Sequence, residues 1–274
     1  PFVALAEGAV LSAQLRLQIG VTVPSCPPLA LYLDGAAYLH GGPSAVDEKR
    51  LSILVTRARL FTHPAGQFLR CLLSEFAIVN GPVADATRGH FWFAETLARG
   101  TAEVAGNGGS AGAEDAWKSW GEMASCKAAF FVPSDAHQRT FIELYRMGVP
   151  TFMPGAEWLM RLPLIAPFGI FSYDGALPPE ELQALGATPP FDTDVPTFFD
   201  PEAATARAVF HWYHYSDYAH FPHVQSCSSI PELLYRLSIS DLSETSRKMG
   251  EHYELLVRGA TVAFARATAT LLSM

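Results

Sequence analysis

The sequence predicts an α/β fold with a parallel sheet, and residues 128–154 carry the prediction. Residues 128–132 (AAFFV) form a run that is too short and too uniformly apolar for a strand with one face in water. Such a run is typical of a strand covered on both faces in a parallel sheet. An amphipathic stretch follows, and a second apolar run begins at Val149, directly after Gly148. Strand, helix and strand in this order form the repeating unit of a parallel sheet.

The segment that joins the two apolar runs carries helix signals. Ser134 and Asp135 are predicted caps, and Asp135 with Gln138 three residues later fits a capping box. Gly148 is predicted to end the helix in a left-handed turn. The apolar residues between these ends recur at spacings of three and four, and so share one face: Phe141, Leu144 and Tyr145.

The loop 133–137 lies at the carboxyl end of the first strand, against the start of the helix. Ligands of open α/β sheets collect at this edge. Free N–H groups and the positive end of the helix dipole favour an anion there, such as a diphosphate. Every strand-helix unit has a loop in this place, so the position alone is a weak signal.

Two spaced carboxylates make the signal more specific. Asp135 and Glu143 have seven residues between them, and Glu143 lies five residues before Gly148, which opens a Gly-Val-Pro motif. This pattern resembles the C-terminal domain of glycosyltransferases with two Rossmann domains, the GT-B architecture. The resemblance implies that Asp135 contacts the donor sugar and that Glu143 binds the ribose hydroxyls of the nucleotide. Asp135 is one methylene shorter than the glutamate of that family, and 136–138 replace its glycine-rich loop.

The same resemblance assigns further donor contacts. Basic side chains after the first strand of that domain approach the donor diphosphate, which singles out Arg57 and Arg59 here. A solvated pair beside a strand end is an equally good reading of either arginine alone. His137 lies where a donor phosphate would lie and is expected to donate a hydrogen bond to it, with Ser134 at the same helix start.

The C-terminal quarter of the chain supports the same family. Residues 207–274 look like the end of a poorly characterised eukaryotic group of glycosyltransferase-like proteins. In that group an aromatic motif precedes a helix with the motif Ser-x-x-(Asp/Glu)-Leu, a helix with the motif Ser-x-x-Met, and a closing helix. The matching residues are Trp212, Asp217, Tyr218, Phe221, Pro222, His223, Ser229, Glu232, Leu233, Ser246 and Met249.

The resemblance predicts a Rossmann-like sheet with the remnant of an N-terminal domain. Residues 1–50 are expected to be the tail of that domain and the junction, with a helix over 1–19 and strands over 21–23 and 29–33. The chain begins Pro1-Phe2 without an initiator methionine, so a fragment or a trimmed start is expected. The catalytic base of the family belongs to the N-terminal domain, and it is therefore assigned to no residue here.

Residues 51–274 are the expected nucleotide-sugar-binding domain, with a flexible glycine-rich insert at 104–114. Its other predicted elements are a strand over 51–56, a helix over 65–76 with Phe68, Leu72 and Phe76 on one face, a strand over 77–79, a helix over 115–126, a short helix over 158–162 and a loop-rich stretch over 163–200.

Composition excludes several functional classes. The net charge is −8 with no basic stripe, which argues against nucleic-acid binding as the main role. The spacing of the four cysteines argues against a zinc site, because they lie far apart in the sequence and form no Cys-x-x-Cys pair. His214, Asp217 and His220 are residue types that bind metals, but the usual i, i+4 pair of histidines with a helical Glu is absent. No metal is therefore expected, and aromatic packing explains this segment better. No apolar run reaches the ~20 residues of a membrane span, since Arg258 and Arg266 interrupt 255–272.

The leading hypothesis is a metal-independent, hexosyltransferase-like enzyme with a nucleotide-diphosphate sugar as donor and no further cofactor. The acceptor is a glycan, a protein or a small molecule, and the sequence does not distinguish among these. It also leaves open the nucleotide base and the sugar of the donor, whether transfer inverts or retains the anomeric centre, and the cellular compartment. An epimerase acting on nucleotide sugars shares the fold, because fold does not determine function. A non-catalytic protein that binds nucleotide sugars, or a scaffold, is the alternative from outside the enzymes.

Overall fold

The computed structural model describes residues 5–19, 22–33, 37–38, 52–56, 67–69, 71–73, 75, 92–95, 120–133, 138–158 and 213–273. Predictions for the strand at 77–79, the insert at 104–114 and the stretch 163–200 lie outside these ranges. So do the first residues of the helix expected over 115–126 and the last residues of the one expected over 158–162.

The N-terminal segment forms a small strand-helix-strand unit of its own. Strand β1 (Ala6–Glu7) leads into helix α1 (Gly8–Ile19), and β1 pairs in parallel with β2 (Ser25–Cys26). The helix predicted over 1–19 is confirmed over 8–19, whereas residues 6–7 form β1 instead. The unit is separate from the main sheet.

The predictions of strands over 21–23 and 29–33 are wrong for the residues that the structure describes, 22–23 and 29–33, because backbone groups there form other hydrogen bonds. The carbonyl of Val23 accepts a hydrogen bond from the Ser12 hydroxyl at 2.5 Å. The Ala30 N–H donates to the Tyr253 hydroxyl at 2.8 Å, and the Leu33 N–H closes a turn onto the Ala30 carbonyl. These bonds replace the ladder that a strand would need.

The main sheet has five strands that all pair in parallel, which confirms an α/β fold with a parallel sheet. The strands are β3 (Ser52–Thr56), β4 (Trp92–Glu95), β5 (Ala128–Phe131), β6 (Thr151–Pro154) and β7 (Gln225–Cys227). Their order across the sheet is β4-β3-β5-β6-β7. The chain therefore reverses its direction of travel between β3 and β5, as doubly wound sheets do.

Strand β5 is buried on both faces, as predicted from its uniform apolar character. Ala128 and Phe130 contribute to one hydrophobic cluster, and Ala129 and Phe131 contribute to the other. All four side chains are fully buried. The alternation follows from the pleat, since successive side chains of a strand point to opposite faces.

Helices cover both faces of this sheet. They are α2 (Trp120–Ala124), α3 (Arg139–Arg146), α4 (Asp217–His220), α5 (Ile230–Ile239) and α6 (Leu242–Leu272). Tyr145 of α3 and Tyr253 of α6 pack in the cluster that contains Phe131, whereas Leu233 of α5 packs in the cluster that contains Phe130. Helices α3 and α5 thus lie on opposite faces.

The helix predicted over 65–76 is present in the part that the structure describes, but its buried face differs from the predicted one. Residues 67–69, 71–73 and 75 are helical. Leu69 and Leu73, four residues apart, are buried against Ile53 and Val55 of β3. Phe68 is 65% exposed, because the covered stripe is centred one residue later.

Helix α6 is the one helix of the described chain that meets the length and composition expected of a membrane span. An 18-residue stretch of it has a mean hydropathy of 1.3, and 6% of that stretch is buried. The core-facing side chains Met249 and Tyr253 lie in its first half, whereas the second half exposes Phe264 and Leu272. The expectation that this chain has no transmembrane segment stays a prediction.

Gly148 joins α3 to β6 in the predicted left-handed turn, with φ +72°. A Cβ at this position would lie 2.8 Å from the Ser246 Oγ of α6, which is closer than side-chain contacts allow. The turn and the packing of α6 on α3 therefore both require a residue without a side chain.

Replacing Gly148 by alanine is expected to lower the free energy of unfolding by about 1–3 kcal/mol, because the left-handed backbone and the crowding act together. Urea unfolding measures the change. Gly259→Ala is the matched control: its Cβ would meet nothing within 4 Å on α6, so a gain of about 0.5–1 kcal/mol is expected there. Equal effects at the two glycines would contradict the role of Gly148.

Candidate functional site

Helix α3, which follows the central strand, begins later than its sequence predicts. Its first residue is Arg139, and Gln138 is the N-cap, with extended backbone (φ −133°, ψ 113°) and no side-chain capping bond. The predicted capping box between Asp135 and Gln138 is therefore wrong, because an extended N-cap residue cannot be the third residue of the helix. The Gln138 side chain is buried at 2% exposure.

The predicted donor-binding residues fall largely outside the described chain. Ser134, Asp135 and His137 lie between Pro133 and Gln138, and Arg57 and Arg59 follow β3, all beyond the described ranges. Their roles stay predictions.

Strands β3 and β5, which precede those residues in the sequence, are neighbours in the sheet. Thr56 at the end of β3 pairs in register with Phe131 at the end of β5. Both strands therefore end next to each other at the carboxyl edge, at the point where the strand order reverses. Ligands of doubly wound sheets bind at this switch point.

Thr56 carries a buried polar atom at the switch point. Its side chain is 1% exposed, and its Oγ1 has no hydrogen-bond partner within the described chain. Buried hydroxyls almost always have partners, and an unpaired one costs about 1–3 kcal/mol. A bound ligand or water at the carboxyl edge would supply the missing partner.

Glu143 lies in the second turn of α3 and is the predicted site residue that the structure describes. Its Oε1 accepts a hydrogen bond from the Tyr32 hydroxyl at 2.5 Å. No other described residue donates a hydrogen bond to this carboxylate. Tyr32 belongs to the N-terminal segment, so the bond joins the two parts of the chain.

A cleft of about 180 Å³ opens beside this pair, and we call it the α3 cleft. Residues from the N-terminal segment form one wall, and α3 forms the other. The lining residues are Glu7, Pro28, Leu29, Ala30, Tyr32, Arg139 and Ile142.

An aromatic pair stands next to the carboxylate. The ring of Trp120 lies 5.6 Å from the ring of Tyr32 at an angle of 47°. Trp120 is 42% exposed and Tyr32 is 51% exposed, so both rings keep free faces toward solvent. Half-exposed aromatic rings are surfaces on which a planar base can stack.

The Tyr32 hydroxyl is the donor in its hydrogen bond to Glu143 at any pH near neutral. Partial burial, followed by the hydrogen bond to the Glu143 carboxylate, raises the pKa of Tyr32 to about 12. The phenol thus stays protonated and directs its proton at Oε1. The carboxylate keeps Oε2 for a further donor.

Sequence reasoning missed Tyr32, Trp120 and Arg139 as members of the site. Tyr32 and Glu143 are 111 residues apart in the chain, and only the tertiary fold joins them. Trp120 was assigned to a helix without a function. The resemblance named the carboxylate, but nothing in the local pattern named its partner.

Comparison with known proteins gives no family for the chain. No family model, no curated protein and no solved structure matches it. In the described ranges, no group of three or more His, Cys, Asp or Glu side chains is arranged to hold a metal ion. Function is therefore inferred from the chain's own residues and from the resemblance above.

The hydrogen bond between Tyr32 and Glu143 is expected to stabilise the fold modestly. Tyr32→Phe should lower the free energy of unfolding by about 0.5–1 kcal/mol at pH 8, a value kept small because the pair is half exposed. The folded pKa is raised, so this stabilisation is fully present below pH 10 and disappears as pH rises through about 12.

Chemical unfolding at pH 8 and above pH 10 measures this contribution. Tyr235→Phe is the matched control, because Tyr235 is 63% exposed and its hydroxyl has no partner in the described chain. An effect of Tyr32→Phe no larger than that of the control would show that the bond is absent in solution.

Proposed function

We propose that the chain is the donor-binding part of a glycosyltransferase of the GT-B architecture, which transfers a sugar from a nucleotide-diphosphate donor to an acceptor. The observation that carries the proposal is the Glu143 carboxylate, which accepts a hydrogen bond from Tyr32, a residue that lines the α3 cleft. It lies on the helix that follows the central strand of a doubly wound sheet, where the family resemblance puts its ribose-binding acid.

The ribose is recognised by Glu143. Two vicinal hydroxyls donate hydrogen bonds, and a carboxylate offers two oxygens that can accept them together. The Tyr32 hydroxyl occupies one lone pair of Oε1 and fixes the orientation of the carboxylate. Oε2 and the second lone pair of Oε1 accept from the ribose hydroxyls. The base attached to that ribose stacks against Trp120 or Tyr32.

The diphosphate lies toward the start of α3. Glu143 is four residues after Arg139, which is ~6 Å along the helix axis. A ribose at Glu143 thus directs its phosphates to the first N–H groups of α3 and to the switch point. Arg139, which lines the α3 cleft, supplies positive charge there.

We assign the remaining donor contacts to the predicted residues, which are Arg57 and Arg59 after β3 in the sequence and Ser134 and His137 before α3. The Thr56 hydroxyl, which has no partner among the described residues, supports a polar ligand at the carboxyl edge of the sheet. The family resemblance assigns the contact with the donor sugar to Asp135.

Catalysis in this scheme is electrostatic. Negative charge grows on the leaving diphosphate as the bond to the sugar breaks, and fixed donors and arginines stabilise that charge. Such a scheme needs no bound metal. The base that activates the acceptor is assigned to no residue of this chain, since the resembled family carries it in its N-terminal domain.

Replacing Glu143 by alanine is expected to weaken nucleotide binding by roughly tenfold to a hundredfold, because charged hydrogen bonds of about 1.5–3 kcal/mol are lost. A thermal-shift panel of UDP, GDP, CMP and their sugars measures this. A nucleotide at ~100 times its dissociation constant adds roughly 2.7 kcal/mol to the free energy of unfolding, which raises the melting temperature by several degrees.

Glu254→Ala serves as the control in this panel, because Glu254 is an exposed carboxylate on α6 outside the α3 cleft. Its nucleotide affinity should equal that of the unmodified protein. The assignment of Glu143 is wrong if both variants respond to the nucleotide alike.

Turnover distinguishes a transferase from the other proteins that share such a site. Incubation of the full-length protein with the nucleotide sugar that stabilises it best should release free nucleotide, detected by chromatography, because water can replace the acceptor. The rate should fall in Glu143→Ala in step with its weaker binding. Conversion of the sugar to its epimer without release would favour an epimerase, and no reaction at all would favour a binding protein.

A further inference from the structure

A second cavity of about 300 Å³ lies at the carboxyl ends of β6 and β7, and we call it the β6–β7 pocket. One wall follows β6 and the other is built from the end of β7 and the first turns of α5. The lining residues are Gly155, Ala156, Glu157, Trp158, Ser226, Cys227, Ser228, Glu232 and Arg236. The proposed nucleotide site uses none of them.

The backbone and the core fix the shape of this pocket. The Gly155 N–H donates to the Cys227 carbonyl at 2.7 Å, which ties the segment after β6 to the end of β7. A Cβ on Gly155 would lie 3.4 Å from that same carbonyl oxygen. Trp158 packs its ring against the buried Phe130 ring at 5.8 Å. The indole is thus held as a partly buried wall.

A charged pair forms the polar wall. The Glu232 carboxylate accepts hydrogen bonds from the Ser228 N–H at 2.7 Å, from the Ser228 hydroxyl at 2.5 Å and from the Arg236 Nε at 2.8 Å. These bonds lower the pKa of Glu232 to about 2. At neutral pH the wall therefore presents an ionised carboxylate beside a guanidinium.

This wall disfavours an anionic ligand. The N-terminus of α5 is already capped, since the Glu232 N–H donates to the Ser229 hydroxyl and the Glu232 carboxylate takes the Ser228 N–H. A phosphate entering the pocket would meet the fixed negative charge of Glu232 and would find these two N–H groups taken. A wholly apolar ligand would desolvate the carboxylate and the guanidinium and offer neither of them a hydrogen-bond partner.

We propose that the β6–β7 pocket binds one neutral hexopyranose unit. A pyranose has an apolar face of C–H groups that packs on an indole, and a rim of hydroxyls that both donate to carboxylates and accept from guanidinium and serine groups. The volume is at the lower end of ligand pockets, which suits a single ring and is small for a whole nucleotide.

The pocket and the α3 cleft are separate sites. Helix α5 covers the opposite face of the sheet from α3, as their two hydrophobic clusters show. The hexopyranose belongs either to the nucleotide-sugar donor or to a separate acceptor glycan. The proposal does not depend on nucleotide binding, so the two can fail independently.

Saturation-transfer NMR with methyl glucoside, methyl galactoside and methyl mannoside at millimolar concentration tests the proposal. At least one glycoside should receive saturation at its ring protons from the unmodified protein. Trp158→Ala and Glu232→Gln should each reduce that signal at least fivefold. Thermal melts verify that each variant is folded, and Glu232→Gln keeps an acceptor for Ser228 should the tryptophan variant unfold.

Glu244→Gln is the matched control, because Glu244 also pairs with an arginine of its own helix, Arg247 of α6, and lies outside the pocket. Its signal should equal that of the unmodified protein. No transfer to any glycoside, or transfer that survives both pocket variants, would overturn the proposal.

Competition distinguishes the two sources of the sugar. If the nucleotide sugar removes the glycoside signal and the free nucleotide does not, the pocket holds the donor's own sugar. A signal that persists with both ligands present assigns the pocket to an acceptor glycan. Loss of the signal with free nucleotide alone would contradict two separate sites.

Discussion

A parallel sheet is stable only when both of its faces are covered, and the rest of this structure depends on that constraint. Strand β5 at the centre buries two side chains on each face, so helices must pack on both sides. Helix α3 covers one face and is itself covered by α6, whose Tyr253 lies under the Arg146 guanidinium at 5.1 Å. The left-handed turn at Gly148 allows this close packing. The position of Glu143 is a consequence of it.

The α3 cleft exists because the N-terminal segment is tied to the same helices. The Tyr253 hydroxyl of α6 accepts from the Ala30 N–H, and the Tyr38 N–H donates to the Met147 carbonyl at the end of α3. These bonds hold residues 28–32 against α3 and bring Tyr32 to Glu143. The carboxylate is thereby oriented before any ligand arrives, which lowers the entropy lost on binding.

The sequence was sufficient to predict the elements that are defined by a few consecutive residues. The buried strand β5, the apolar face of α3 and the glycine turn are each defined by a few consecutive residues, and the structure confirms them. The predicted start of α3 was wrong. Gln138 is buried in extended conformation as the N-cap, and this outweighed the capping signal of Asp135. The polar strand β7 was missed, since only pairing with β6 makes it a strand. Tyr32 was missed because tertiary contacts, which no local pattern encodes, bring it to Glu143.

The most direct test of the central claim is a crystal structure of the protein with the nucleotide that raises its melting temperature most. The account predicts ribose hydroxyls within hydrogen-bonding distance of both Glu143 oxygens, the base on Trp120 or Tyr32, and the diphosphate between the start of α3 and Thr56. A ribose bound elsewhere, with the Glu143 carboxylate contacting only Tyr32, would contradict it.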